Sequence, residues 1–172
     1  MVINGKTFDG GKHTISNLNM SQYLLNQQAT IYTPEACIGL FAAVYGNAAI
    51  KDITLDRVTI EPSAEKSPKW VGSLVGYSKG TGTTYTNCIA KNVKILTKGT
   101  NSFRVGGLIG YIEKNKGTSD ATATLTGCKV ETANIAASFS YGGLVGSLYD
   151  SVTFTAVSYT HLRAHETRHD LV

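Results

Sequence analysis

A short glycine-rich segment recurs four times in this chain at nearly constant spacing, and that recurrence limits the possible folds more than any other feature. The copies are Ile38-Gly39-Leu40-Phe41, Val71-Gly72-Ser73-Leu74-Val75-Gly76, Val105-Gly106-Gly107-Leu108-Ile109-Gly110 and Tyr141-Gly142-Gly143-Leu144-Val145-Gly146. Their leucines lie at 40, 74, 108 and 144, in steps of 34, 34 and 36. Between them runs a second ladder, apolar at i, i+3 and i+5: Ile15/Leu18/Met20, Leu55/Val58/Ile60, Ala90/Val93/Ile95 and Val130/Ala133/Ile135, in steps of 40, 35 and 40. Two ladders of similar period imply one supersecondary unit, repeated and stacked.

The spacing within the second ladder names the unit. Val58 and Ile60 flank Thr59 with the period of two that puts side chains on one face of a strand. The two polar residues before them, Asp56-Arg57, turn a corner and present apolar side chains inward again. Ser16-Asn17, Lys91-Asn92 and Glu131-Thr132 are the matching corners. A helix would need apolar residues sustained at i, i+4 and i+7, which these segments lack. Strand, corner and strand around one interior describe a coil of a solenoid. The expected fold is therefore all-β, a parallel and right-handed β-helix or solenoid of repeats about 35 residues long. One coil per repeat is expected, which would set Leu74 and Leu108 about 4.8 Å apart, the strand spacing.

Composition agrees. Charged residues make up 16%, against roughly 25% in ordinary soluble domains, while glycine reaches 18 residues and proline only 3. The net charge of +4 comes from dispersed lysines, without the basic runs and interleaved aromatics of a nucleic-acid groove. No stretch approaches the roughly 18 apolar residues of a membrane span. Nucleic-acid partners and a membrane span are both excluded as expectations. The glycines remove Cβ atoms where coils approach or bend. Gly107–Gly110 lacks the spacing and the following helix of a phosphate loop. Cys88 and Cys128 share one repeat position, which Ile53 fills in the preceding repeat, so both are read as small interior hydrophobes. With Cys37 they show no CxxC spacing, and no metal site or redox pair is expected. The polar stretches 62–69, 78–84 and 113–121 are read as surface loops that would carry any binding.

The segments Val71–Tyr77, Val105–Tyr111 and Tyr141–Ser147, with Asn87-Cys88 and Gly127-Cys128 downstream, resemble the GLUG-motif proteins of bacterial surfaces and secretions. Phe8–Leu18 looks like the start of such an array, and the resemblance spans Phe8 to Ala156. It implies an extracellular or cell-surface location. It also implies either an adhesin-like repeat module or an accessory or spacer region of a larger secreted peptidase or carbohydrate-active enzyme. It brings no catalytic residue, because the motif contains none.

Residues bearing chemistry are few. Asp52 and Asp56 are the nearest carboxylate pair, but Asn87 and Lys91, then Gly127 and Glu131, occupy their places in later repeats, so no acidic cluster accumulates. His13 sits alone in a polar turn. His161, His165 and His169 have the spacing of a helical metal face, yet they belong to a tail whose composition breaks with the repeat. The string from Val157 onward resembles a translated transposon-based sequencing adapter. The expectation is a solenoid fragment over 1–156, cut at both ends, followed by a non-native tail, 157–172, that leaves the register. No catalytic, cofactor-binding or metal-binding residue is assigned, and no cofactor. The expected role is structural or adhesive, with a host or cell-surface glycan or protein bound through the loops.

Overall fold

A computed structural model describes residues 1–21, 36–62, 68–97, 104–114, 123–137, 139–148 and 152–164. In chain order its strands are β1 (Val2–Asn4), β2 (Thr7–Ser16), β3 (Cys37–Ile38), β4 (Phe41–Tyr45), β5 (Ala49–Ile60), β6 (Trp70–Gly72), β7 (Val75–Lys79) and β8 (Thr83–Leu96), followed by β9 (Arg104–Gly106), β10 (Ile109–Glu113), β11 (Ala123–Thr126), β12 (Lys129–Ala136), β13 (Ser140–Gly142), β14 (Val145–Leu148), β15 (Val152–Thr155) and β16 (Ser158–Ala164). They form three sheets: a short one, β3-β6-β9-β13; a middle one, β1-β4-β7-β10-β14; and a long one in which β2, β5 and β8 are followed by β11 with β15 and by β12 with β16. Strand neighbours are parallel throughout. The fold is an all-β, parallel, solenoid-like stack.

The register reproduces both sequence ladders. Phe41 pairs with Val75, Val75 with Ile109, and Ile109 with Val145. On the long sheet, Ile15 pairs with Leu55, Val58 with Val93, and Val93 with Ala133. Leu74 N–H donates to Leu108 C=O at 3.0 Å, and Leu108 N–H to Leu144 C=O at 3.0 Å. The leucines therefore sit on adjacent rungs, as one coil per repeat requires. Leu55, Ile60, Leu74, Ala90, Ile95, Leu108 and Ile135 are fully buried in one continuous core. Ile53, Cys88 and Cys128 fill a shared interior row, and both cysteines are fully buried.

The corners are built by left-handed residues. Asn17, Arg57, Asn92 and Thr132 have φ of 60°, 55°, 51° and 56°, and each is the second residue of a corner dipeptide found in the sequence. A further row bends at Asp52, Asn87, Gly127 and Ala156, with φ of 52°, 51°, 63° and 51°. Asn and Gly adopt this conformation most easily. These bends let one long strand such as β8 wrap around the interior without breaking its ladder.

The recurrent glycines have a steric cause. A Cβ on Gly106 would lie 1.9 Å from Ile109 O and 2.6 Å from Gly146 N. On Gly72 it would lie 2.4 Å from Val75 O. The short and middle sheets fold onto each other at this point, and a methyl group has no room.

Three expectations are corrected. The tail does not leave the register at Val157: β16 pairs with β12 from Lys129↔Ser158 to Ile135↔Ala164. The reason is that Tyr159, Leu162 and Ala164 repeat the i, i+3, i+5 spacing, and β12 presents an open parallel edge to any chain that can follow it. Val157 is half-buried against the core and Tyr159 is exposed; His165 and His169 lie outside the described residues. Second, 78–84 is no projecting loop. Ser78 and Thr83 are buried, Tyr85 Oη donates to Ser78 Oγ at 2.7 Å, and Thr83 Oγ1 donates to Gly46 O at 2.6 Å. Polar residues here turn inward because they satisfy one another. Third, His13 lies in β2 opposite Ile53, beside a register shift, and not in a turn. Of the other two stretches, 63–67 and 115–122 lie outside the described residues.

Candidate functional site

The row of bends at Asp52, Asn87, Gly127 and Ala156 draws the backbone inward and leaves an open groove of about 470 Å³ on the long sheet. Its floor is the outward row Thr54–Ile89–Lys129, which is in register across three coils. Lys12, from the first coil, lines it together with Lys129 from the fourth. Asn87 Nδ2 donates to Asp52 Oδ1 at 2.9 Å, bridging two rungs. A Cβ at Gly127 would lie 2.6 Å from Asn87 Oδ1, so glycine there leaves space for the amide.

The second corner row is closed by its own side chains. Asn92 Nδ2 donates to Asp56 Oδ1 at 2.9 Å, Arg57 pairs with Asp56 at 2.7 Å, and Arg57 Nε donates to Asn17 Oδ1 at 2.7 Å. Asp52 and Asp56 thus fall in separate rows, each engaged by an amide from the next coil. Both carboxylates hold corners together. The other described acids are also engaged: Asp9 with Lys51, Glu61 with Lys94, Glu113 with Lys79, and Glu131 with Lys91. No three His, Cys, Asp or Glu side chains converge among the described residues as a metal ion would require.

The buried titratable groups are structural. The neighbouring Cys128 sulfur, together with burial, pushes the Cys88 thiol well above its ordinary range. Cys88 Sγ donates to Ile50 O at 3.4 Å, and Cys128 Sγ to Tyr85 O at 3.4 Å. Burial likewise raises the Tyr85 and Tyr77 hydroxyls.

A second small core, which sequence reading missed, lies where the short and middle sheets meet. Trp70 stacks on Tyr77 at 4.6 Å and on Tyr111 at 5.6 Å, Arg104 sits 4.3 Å over the Tyr111 ring, and Tyr77 Oη donates to Glu113. The signal available was the repeated Tyr of Gly76-Tyr77 and Gly110-Tyr111.

Comparison with family models, with curated proteins and with solved structures gives no match. Among the described residues no helix is long and apolar enough to cross a membrane.

Proposed function

We propose that this chain is a structural and adhesive repeat module of a bacterial cell-surface or secreted protein, of the GLUG-motif kind. One observation carries the reading: a wall in strict register tolerates connections of very unequal length at a single junction. The link from the long sheet to the short sheet spans 21–36 in the first coil, 61–69 and 97–103 in the next two, and 137–139 in the fourth. A scaffold that fixes its strands and varies its connections is organised for display. The engagement of every described carboxylate supports a non-enzymatic role.

Binding of the labelled chain to a glycan array, and to proteins of a host-cell surface extract, tests this. Retention of a defined ligand is expected, lost when 98–103 is replaced by a link as short as 137–139 while the melt is unchanged. Retention of nothing in either assay, or cleavage of a polysaccharide or protein by the chain, would overturn the reading.

A further inference from the structure

The charge ledger of the wall singles out the groove. The six described carboxylates are each held by a lysine, an arginine or, for Asp52, the Asn87 amide. Among the described residues Lys12 and Lys129, like Lys6 outside the groove, pair with no carboxylate, and these two line the same groove. They lie on its first and fourth coils, three rungs apart, or about 14 Å at the strand spacing. Between them lie the Thr54 hydroxyl, the Asn87 amide and Asp52, whose Oδ1 is taken by Asn87.

We infer that this groove binds an acidic glycan lying along the solenoid axis, with its carboxylates on Lys12 and Lys129 and its hydroxyls on Asp52, Asn87 and Thr54. Two cations three rungs apart can each hold one carboxylate of such a chain, with sugar hydroxyls placed between them. Asp52 decides the class: a carboxylate in mid-groove accepts hydrogen bonds from sugar hydroxyls, donors that the phosphodiester backbone of DNA lacks. The groove is open to solvent, and its lining runs across the stacked coils from Lys12 to Ala156. The assignment goes beyond the display reading above, because it places binding on the coils and not on the connections.

Affinity electrophoresis of the full chain tests it, in gels containing polygalacturonate, neutral galactan, polyglutamate or single-stranded DNA. Polygalacturonate alone should retard the chain strongly. Lys12→Gln combined with Lys129→Gln should weaken that retardation at least tenfold with an unchanged melting temperature, while Lys6→Gln, at an exposed lysine outside the groove, should leave it intact. Equal loss with Lys6→Gln, or equal retardation by polyglutamate or DNA, would reduce the effect to net charge and overturn the site. Retardation that survives the double variant but disappears when 98–103 is shortened would overturn the groove and leave the display reading standing.

Discussion

Gly106→Ala offers the sharpest test of why the glycines recur. Gly106 does not have a positive φ, so alanine is conformationally permitted there. Restricting the unfolded chain would by itself stabilise by about 0.4–1 kcal/mol. The structure predicts the opposite sign. The new Cβ would lie 1.9 Å from Ile109 O, where ordinary contact begins at 3.4 Å, a shortfall of 3.4 − 1.9 = 1.5 Å. Gly146 N stands at 2.6 Å on the other side. Both obstacles are backbone, so no rotamer change can relieve them and the two sheets must separate. Overpacking of a rigid core costs about 1–3 kcal/mol, and the absence of a soft neighbour sets the expectation near the upper end. For a chain of this length that lowers Tm by roughly 6–12 °C. Thermal melts followed by far-ultraviolet circular dichroism would measure it. Gly82→Asn is the control, because nothing lies within 4 Å of its Cβ and asparagine tolerates its φ of +73°; Tm should change little. A Gly106→Ala variant that melts at or above the parent temperature would refute the steric account.

Leu108→Ala, at a fully buried site with stacked neighbours on both sides, should cost about 2–5 kcal/mol in urea titration. Thr132→Asn should raise stability by about 1 kcal/mol, because a β-branched residue at a φ of 56° is strained; an unchanged urea midpoint would refute the strain. Cys88 and Cys128 should resist a thiol reagent in the native protein and react on unfolding, so rapid native labelling would contradict their interior placement. Because burial raises the Tyr85 and Tyr77 hydroxyls above their unfolded values, the stability they contribute is complete below about pH 10 and is lost as pH rises further. Urea midpoints measured from pH 8 to 11 should therefore fall at the alkaline end.

The rows of the long sheet were legible because strand alternation and two-residue corners leave a pattern that local chemistry alone produces. Leu55, Val58 and Ile60 announce their rung without reference to any other. The corner positions were legible too, since Asn17 and Asn92 favour a left-handed backbone. Ser78 and Thr83 were not, because a polar residue reads as exposed until its partner is known, and Tyr85 and Gly46 are reached only by the folded chain. The Trp70–Tyr77–Tyr111 stack depends on two sheets closing over their glycines, a tertiary event with only a repeated tyrosine to signal it. The tail misled for a different reason. Its composition broke with the repeat, yet Tyr159, Leu162 and Ala164 kept the spacing, and a parallel edge reads spacing. The groove escaped notice because Lys12 and Lys129 are far apart in sequence and come to line one groove only through the stacking of coils.

The unequal coil steps carry a consequence for how such a chain can change over generations. Neighbouring rungs differ by 34 residues at Val75 and Ile109 but by 40 at Val93 and Ala133, and the rows stay aligned. Within a strand, gaining or losing one residue would turn every following side chain to the wrong face. Between strands the same event alters only a connection, because each rung takes its alignment afresh from the one beneath it. Insertions, deletions and duplications of whole coils are thus filtered by where they fall, and the lineage can rework its connections while inheriting its wall unchanged.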